Sequence, residues 1–175
     1  MLSLLKTKLN APRSGVNLVH RPRLIDGLNS GLKNKLILIS APAGFGKTSL
    51  LGEWTTQCSI PVAWLSLDEN DNDLSRFWSY FVAAVQTIKP GTGEAALAGL
   101  QPGQPQPIEA FLTTLINEIS DGSFPFVIIL DDYHTIASRT VTESIAFLLE
   151  RMPSQMHLVI AGRVKIFNPP VRFTG

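Results

Sequence analysis

LILISAPAGFGKTSLL, residues 36–51, is the stretch whose reading decides the fold. Its apolar run from Leu36 to Ile39 reads as a core strand. Ala41-Pro42-Ala43-Gly44-Phe45-Gly46 reads as a loop of small residues, and Lys47, Thr48 and Ser49 open an amphipathic helix. Strand, phosphate-sized loop and helix start follow in the order of a P-loop. In such a loop the backbone N–H groups turn inward toward phosphate oxygens. Gly44 and Gly46 permit the backbone angles and the close approach that this requires. The helix N-terminus adds partial positive charge, Lys47 adds a full one, and the Thr48 hydroxyl is placed to ligate magnesium. Ala41 stands where the pattern has its first glycine; that position needs a small side chain, so the change is expected to be tolerated.

A second stretch, FVIILDDYH at residues 126–134, supplies the partner that a P-loop needs. An apolar strand ending in paired aspartates projects Asp131 and Asp132 at the carboxyl edge of the sheet, on a strand expected to neighbour the one carrying the loop. Asp131 is the expected magnesium ligand, directly or through a water, and Asp132 the group that polarises an attacking water. Alone, the pair would read as a surface turn after a core strand. Two such strands in the right order within one domain outweigh that reading. His157 to Ala161 reads as a further strand, with Arg163 just past its end, where a cation can sense a terminal phosphate. A plain surface arginine fits that spacing equally well.

Composition narrows the class. The chain has 175 residues, enough for one domain with a proper core, and 45% hydrophobic against 17% charged residues marks it as globular. A net charge of +1 gives no electrostatic case for a nucleic-acid partner, so direct DNA binding by this chain is not expected. A single cysteine, Cys58, excludes an internal disulfide and fits a reducing compartment. No apolar run approaches a membrane span, and the N-terminal apolar stretch is too short and interrupted for a signal peptide. A soluble cytoplasmic protein is the expectation.

The remaining segments alternate as an α/β fold should. Residues 1–34 read as a lead-in arm with a short helix from about Pro22 to Leu32, its apolar face made by Leu24, Leu28 and Leu32. Packing is slightly favoured over a role in closing on a nucleotide base. A helix from about Lys47 to Gln57 buries Leu50, Leu51 and Trp54, and Pro61 to Leu67 is a second strand. Asp68-Glu-Asn-Asp-Asn-Asp73 lacks the turn glycine and the later glutamate of an EF-hand calcium loop. It reads as a solvated run in which Asp73 caps the next helix. Leu74, Phe77, Trp78, Phe81, Val85 and Ile88 then share one helical face, an aromatic stripe that reads as core. A biased loop, Gln101 to Pro107, leads into a helix with Ile108, Phe111, Leu112, Leu115, Ile116 and Ile119 on one face. Thr140-Val-Thr-Glu143 reads as a capping box opening a helix that buries Val141, Ile145, Leu148 and Leu149. His20, His134 and His157 are isolated, without metal-ligand spacing.

TKLNAPR, LVHRPRL, SAPAGFGKTSLL, PVAWLSLDENDND, RFWSYFVAAVQ and LDDYHTI together resemble the N-terminal ATPase domain of MalT-like activators. These are large ATP-binding regulators of the LuxR type, in the signal-transduction class of P-loop ATPases. The resemblance spans about residues 4–163. It implies a three-layer α/β P-loop sandwich with a mostly parallel sheet, in which an ATPase core at 35–163 follows the arm and precedes a divergent tail at 164–175. It implies an ATP-dependent switch that self-associates or engages regulatory protein partners and is reset by slow hydrolysis. By the same resemblance ATP and Mg²⁺ are the cofactors, held by Ala43, Gly44, Phe45, Gly46, Lys47, Thr48 and Ser49, with Asp131 on the metal and Lys47, Asp132 and Arg163 serving hydrolysis. Arg21 matches the region near the adenine. Gly162 departs from the serine usual in the family, and VKIFNPPVRFTG fits poorly after Arg163. The chain is expected to be a C-terminally truncated member without the last core strand, the helical modules or the DNA-binding helix-turn-helix. The strand bearing the P-loop would then lack a neighbour on one side. A decayed fragment and, less favoured for want of a lid with arginines, a small-molecule P-loop kinase are the alternatives.

Overall fold

The computed structural model of the chain describes residues 4–12, 20–100, 107–122 and 124–163. The expected tail at 164–175, most of the Gln101–Pro107 loop and residues 13–19 of the arm lie outside these. Strands β1 (Leu36–Ser40), β2 (Val62–Ser66), β3 (Phe126–Asp131) and β4 (Met156–Gly162) form one parallel sheet in the order β1-β4-β3-β2. Helices α1 (Pro22–Gly31) and α2 (Lys47–Gln57) cover one face. Helices α3 (Leu74–Gln86), α4 (Glu94–Ala98), α5 (Ile108–Ser120) and α6 (Arg139–Arg151) cover the other. The result is the three-layer α/β sandwich. Among the described residues no helix is long and apolar enough to cross a membrane.

Strand periodicity explains the two cores. Every residue of β3 is buried, and successive side chains point to opposite faces. Ile128 and Leu130 join Leu158 and Ile160 of β4 under α3, α5 and α6, whereas Val127 and Ile129 join Val159 and Ala161 under α1 and α2. The larger core is built around the α3 aromatic stripe: the Trp78 ring lies 4.8 Å from Phe81 and 5.7 Å from Phe111, and Phe77 meets it edge-on at 5.2 Å. Such pairs add roughly 0.5–1.5 kcal/mol each beyond their buried area. Trp78 Nε1 donates to Ser144 Oγ at 3.0 Å, which satisfies the indole and ties α3 to α6.

Four expectations change. On α1, Ile25 and Leu28 are buried while Leu24 is exposed, so the apolar face is rotated from the one the leucine spacing suggested. The box at Thr140–Glu143 is not a cap: α6 starts at Arg139, the Ser138 side chain accepts from Val141 N, and Glu143 pairs with Arg139 instead. The run from Asp68 to Asp73 is not simply solvated. Asp73 does cap α3 by accepting from Arg76 N at 2.7 Å. Asp71, however, is fully buried, ion-paired with Lys8 and 3.3 Å from Arg76 Nε. Lys8 belongs to a 3₁₀ turn, Lys6–Leu9, by which the arm docks on the core, with Leu5 N donating to the Tyr80 hydroxyl. Finally, β4 intervenes between β1 and β3, so the aspartate strand is not the direct neighbour of the P-loop strand.

Candidate functional site

The strand order sets the carboxyl ends of β1, β4 and β3 side by side, which is where a parallel sheet presents ligand-binding loops. A cavity of about 360 Å³ opens there, within the size range of small-ligand sites. After β1, Ala43, Gly44, Gly46, Lys47, Thr48 and Ser49 line it; Asp132 enters from β3 and Arg163 from β4. Residues more than a hundred positions apart in sequence thus face one space.

The loop's conformation follows from its glycines. Gly44 and Gly46 have φ of 82° and 75°, in the left-handed region that β-carbon-bearing residues resist. Gly46 is the N-cap of α2, and no side chain caps this helix start. Its first-turn N–H groups therefore remain available to an anion. Lys47 Nζ donates to the carbonyls of Ala41 and Pro42, at 2.7 and 3.0 Å, which keeps the ammonium over the loop.

Beneath the loop lies Asp131, only 1% exposed. Thr48 Oγ1 donates to Asp131 Oδ2 at 2.7 Å, and Asp132 N donates to Asp131 Oδ1 at 3.0 Å. Burial pushes the Asp131 carboxyl above its ordinary value, and the Thr48 hydrogen bond only partly opposes this. A hydroxyl and a buried carboxylate in contact form a hard-oxygen pair that suits a small divalent cation, whose charge would favour the ionised carboxylate that burial disfavours. Asp132 has φ 56° and ψ 32°, the left-handed conformation that aspartate tolerates better than most residues. Its carboxylate is half exposed, and His134 Nδ1 lies 3.7 Å away.

Two anticipated residues are placed differently from the rest. The Phe45 side chain is exposed and does not line the cavity. Arg21 stands at the loop's outer side, where its Nη1 donates to Phe45 O at 2.9 Å, so it touches the loop rather than the cavity. Sequence reasoning missed two residues, namely His134 beside Asp132 and Asn72 on the turn that follows it. Asn72 bonds residues 63 to 66 positions further on, and nothing in its local run of acidic and amide side chains signals that.

Comparison with known proteins bears on this arrangement. A family model described as an AAA ATPase domain matches residues 22–161. The HTH-type transcriptional regulator MalT of Yersinia pestis (strain Pestoides F) is 36% identical over 160 residues, covering 91% of this chain and 18% of that protein. The regulators of the same name from Yersinia pseudotuberculosis serotype O:3 (strain YPIII) and Serratia proteamaculans (strain 568) match with the same identity and coverage. The chain therefore spans less than a fifth of the length of these curated relatives. Among solved structures, C. elegans PCH-2 aligns with a TM-score of 0.47 at 14% identity, over 89% of this chain and 40% of that one. The matched residues 22–161 take in all four strands up to Ala161, the glycine loop and both aspartates, and the chain belongs to the AAA ATPase domain family.

Proposed function

We propose that this chain is the ATP-binding, slowly hydrolysing switch domain of a MalT-like, LuxR-type transcriptional regulator, working in the cytoplasm through self-association or regulatory partners. The observation that carries the reading is the convergence of Gly44, Gly46 to Ser49, Asp132 and Arg163 on one cavity, with Asp131 directly behind Thr48. In this reading the loop N–H groups and Lys47 bind the phosphates, and Thr48 with Asp131 would hold Mg²⁺. The ion would supply charge neutralisation at the phosphate oxygens. Asp132, with its carboxylate half in solvent, accepts a hydrogen bond from a water and orients it toward the terminal phosphate. Arg163 offsets negative charge on that phosphate from the neighbouring strand end. Arg21 acts from outside by holding the loop at Phe45.

Titration calorimetry with Mg-ATP and a phosphate-release assay test this. The wild-type chain should bind at millimolar nucleotide or below, and Lys47→Ala should weaken binding by at least about 100-fold, the loss of a charge-assisted phosphate contact with its positioning effect. Asp132→Ala should leave affinity within about twofold and stop phosphate release. A wild-type chain without magnesium-dependent affinity for ATP would sink the proposal. ADP release stimulated by an added phosphoryl acceptor would favour a kinase instead.

A further inference from the structure

The run from Asp68 to Asp73 has no part in the cavity, yet one of its side chains reaches the segment that follows Asp132. Asn72 Oδ1 accepts from Ala137 N and from Ser138 N, both at 2.7 Å. Its Nδ2 donates to Thr135 O and to Glu69 O, both at 2.9 Å. An amide has two donors and an acceptor oxygen with two lone pairs, so every hydrogen-bonding valence of Asn72 is used. Turning the amide over would set donor against donor and acceptor against acceptor at all four contacts. Three of the four bonds fall on residues 135–138. That segment begins at the last residue of the 3₁₀ turn Tyr133–Thr135, whose Thr135 N–H closes back on Asp132 O at 3.0 Å, and it ends at Ser138, the N-cap of α6.

Asn72 can act as a clamp because its own base is rigid. Asp68 and Asp71 cap one another's backbone across the 3₁₀ turn Glu69–Asn72. Asp71 is in turn gripped by the buried Lys8 and by Arg76. On the far side, Asp132 has a left-handed backbone that costs energy for a residue with a β-carbon. Such a conformation persists only where its surroundings dictate it, and the chain on its C-terminal side is dictated by Asn72.

We propose that Asn72 is a positioning residue for Asp132: its amide pins the turn after β3 and so fixes the direction in which the Asp132 carboxylate enters the cavity. This rests on the hydrolytic reading of the site, and the test separates the two. Wild type, Asn72→Ala, Asn72→Asp and the control Ile145→Val, which loosens α6 in the core without touching the clamp, are compared by single- and multiple-turnover ATP hydrolysis and by amide hydrogen exchange. Asn72→Ala should lower kcat at least about tenfold with KM for ATP within twofold, the pattern of a misplaced group acting on the reaction rather than on binding. Asn72→Asp keeps the acceptors for Ala137 and Ser138 but faces Thr135 O with a carboxylate, and should fall between. Ile145→Val should keep the wild-type kcat. Without nucleotide, the Thr135 and Ile136 amides, which close the turn on Asp132 O and Tyr133 O, should exchange at least about tenfold faster in Asn72→Ala. Unchanged kcat, a loss carried by KM alone, or unchanged exchange of those two amides would each overturn the inference. A wild-type chain that binds no ATP would instead sink the site reading, and the exchange comparison would still decide the clamp.

Discussion

In the proposed reading, stability and ligand binding pull against each other within one side chain, Asp131. It is buried, and burial raises its carboxyl above the ordinary 3.8 despite the hydrogen bond from Thr48 and the nearby charge of Lys47. A carboxyl with a raised folded-state value is neutral in both states at low pH, and its contribution is then fully present. That contribution is lost as pH rises through the folded-state value, because the folded chain must hold a charge that the unfolded chain holds in water. Asp131→Asn, neutral at every pH, should therefore match wild type in Tm near pH 3, below the unfolded value, and exceed it by a few degrees at pH 8 without nucleotide. Thermal melts across that range are the check, and a Tm difference that does not grow with pH would count against burial as the cause. The identity of this residue was legible from the run of apolar residues before it. Its burial against Thr48 was not, because 83 positions separate the two partners and only the fold brings them to 2.7 Å.

Elements were read best where one periodicity dominated. The face of α5 from Phe111 to Ile119 and that of α6 from Val141 to Leu149 are buried as their spacing implied. Element ends were read less well, since an N-cap is decided by local geometry that several residues can satisfy: Ser138 takes the position that Thr140 was expected to hold. The acidic run after β2 failed for another reason. Its carboxylates find their counter-charge in Lys8, 60 and 63 positions earlier, and short-range pattern carries no trace of such a partner. The 3₁₀ turn Lys6–Leu9 is therefore held to the core by a buried charge pair, which gives its two halves unequal mutational costs. Asp71→Ala leaves the buried Lys8 ammonium with only the half-exposed Asp68, 3.0 Å away, and should cost about 3–5 kcal/mol in urea unfolding. Lys8→Met should cost less than half of that, because Asp71 keeps Arg76 and the Asp68 N–H while methionine fills the space over the Tyr80 ring. Equal losses in the two variants would show that the pair is not asymmetric in this way.

At the scale of the whole molecule, the sheet formed by the described residues is paired on one side of β1 and open on the other. Among the described residues β1 pairs only with β4. Register makes the consequence measurable. Leu38 lies opposite Ile160 of β4, yet Leu38 is 47% exposed and Ile160 is 0% exposed. Two aliphatic residues at the same level of one sheet thus sit in opposite environments, separated by a single strand spacing. An exposed parallel edge presenting backbone polar groups beside an apolar side chain is a template for association, and a lysine on the edge is the usual remedy. Leu38→Lys should leave urea stability within about 0.5 kcal/mol, as for other surface changes, and lower the concentration dependence of light scattering on mild warming. It should also leave ATP affinity unchanged, since Leu38 lies outside the cavity lining. Ile160→Lys, its register partner, buries a lone ammonium between the sheet and the layer of α3, α5 and α6 and should leave no cooperative unfolding transition. If Leu38→Lys instead unfolds the chain, β1 is covered in solution by something that the described residues do not include. If scattering is unchanged, the open edge is not what limits solubility.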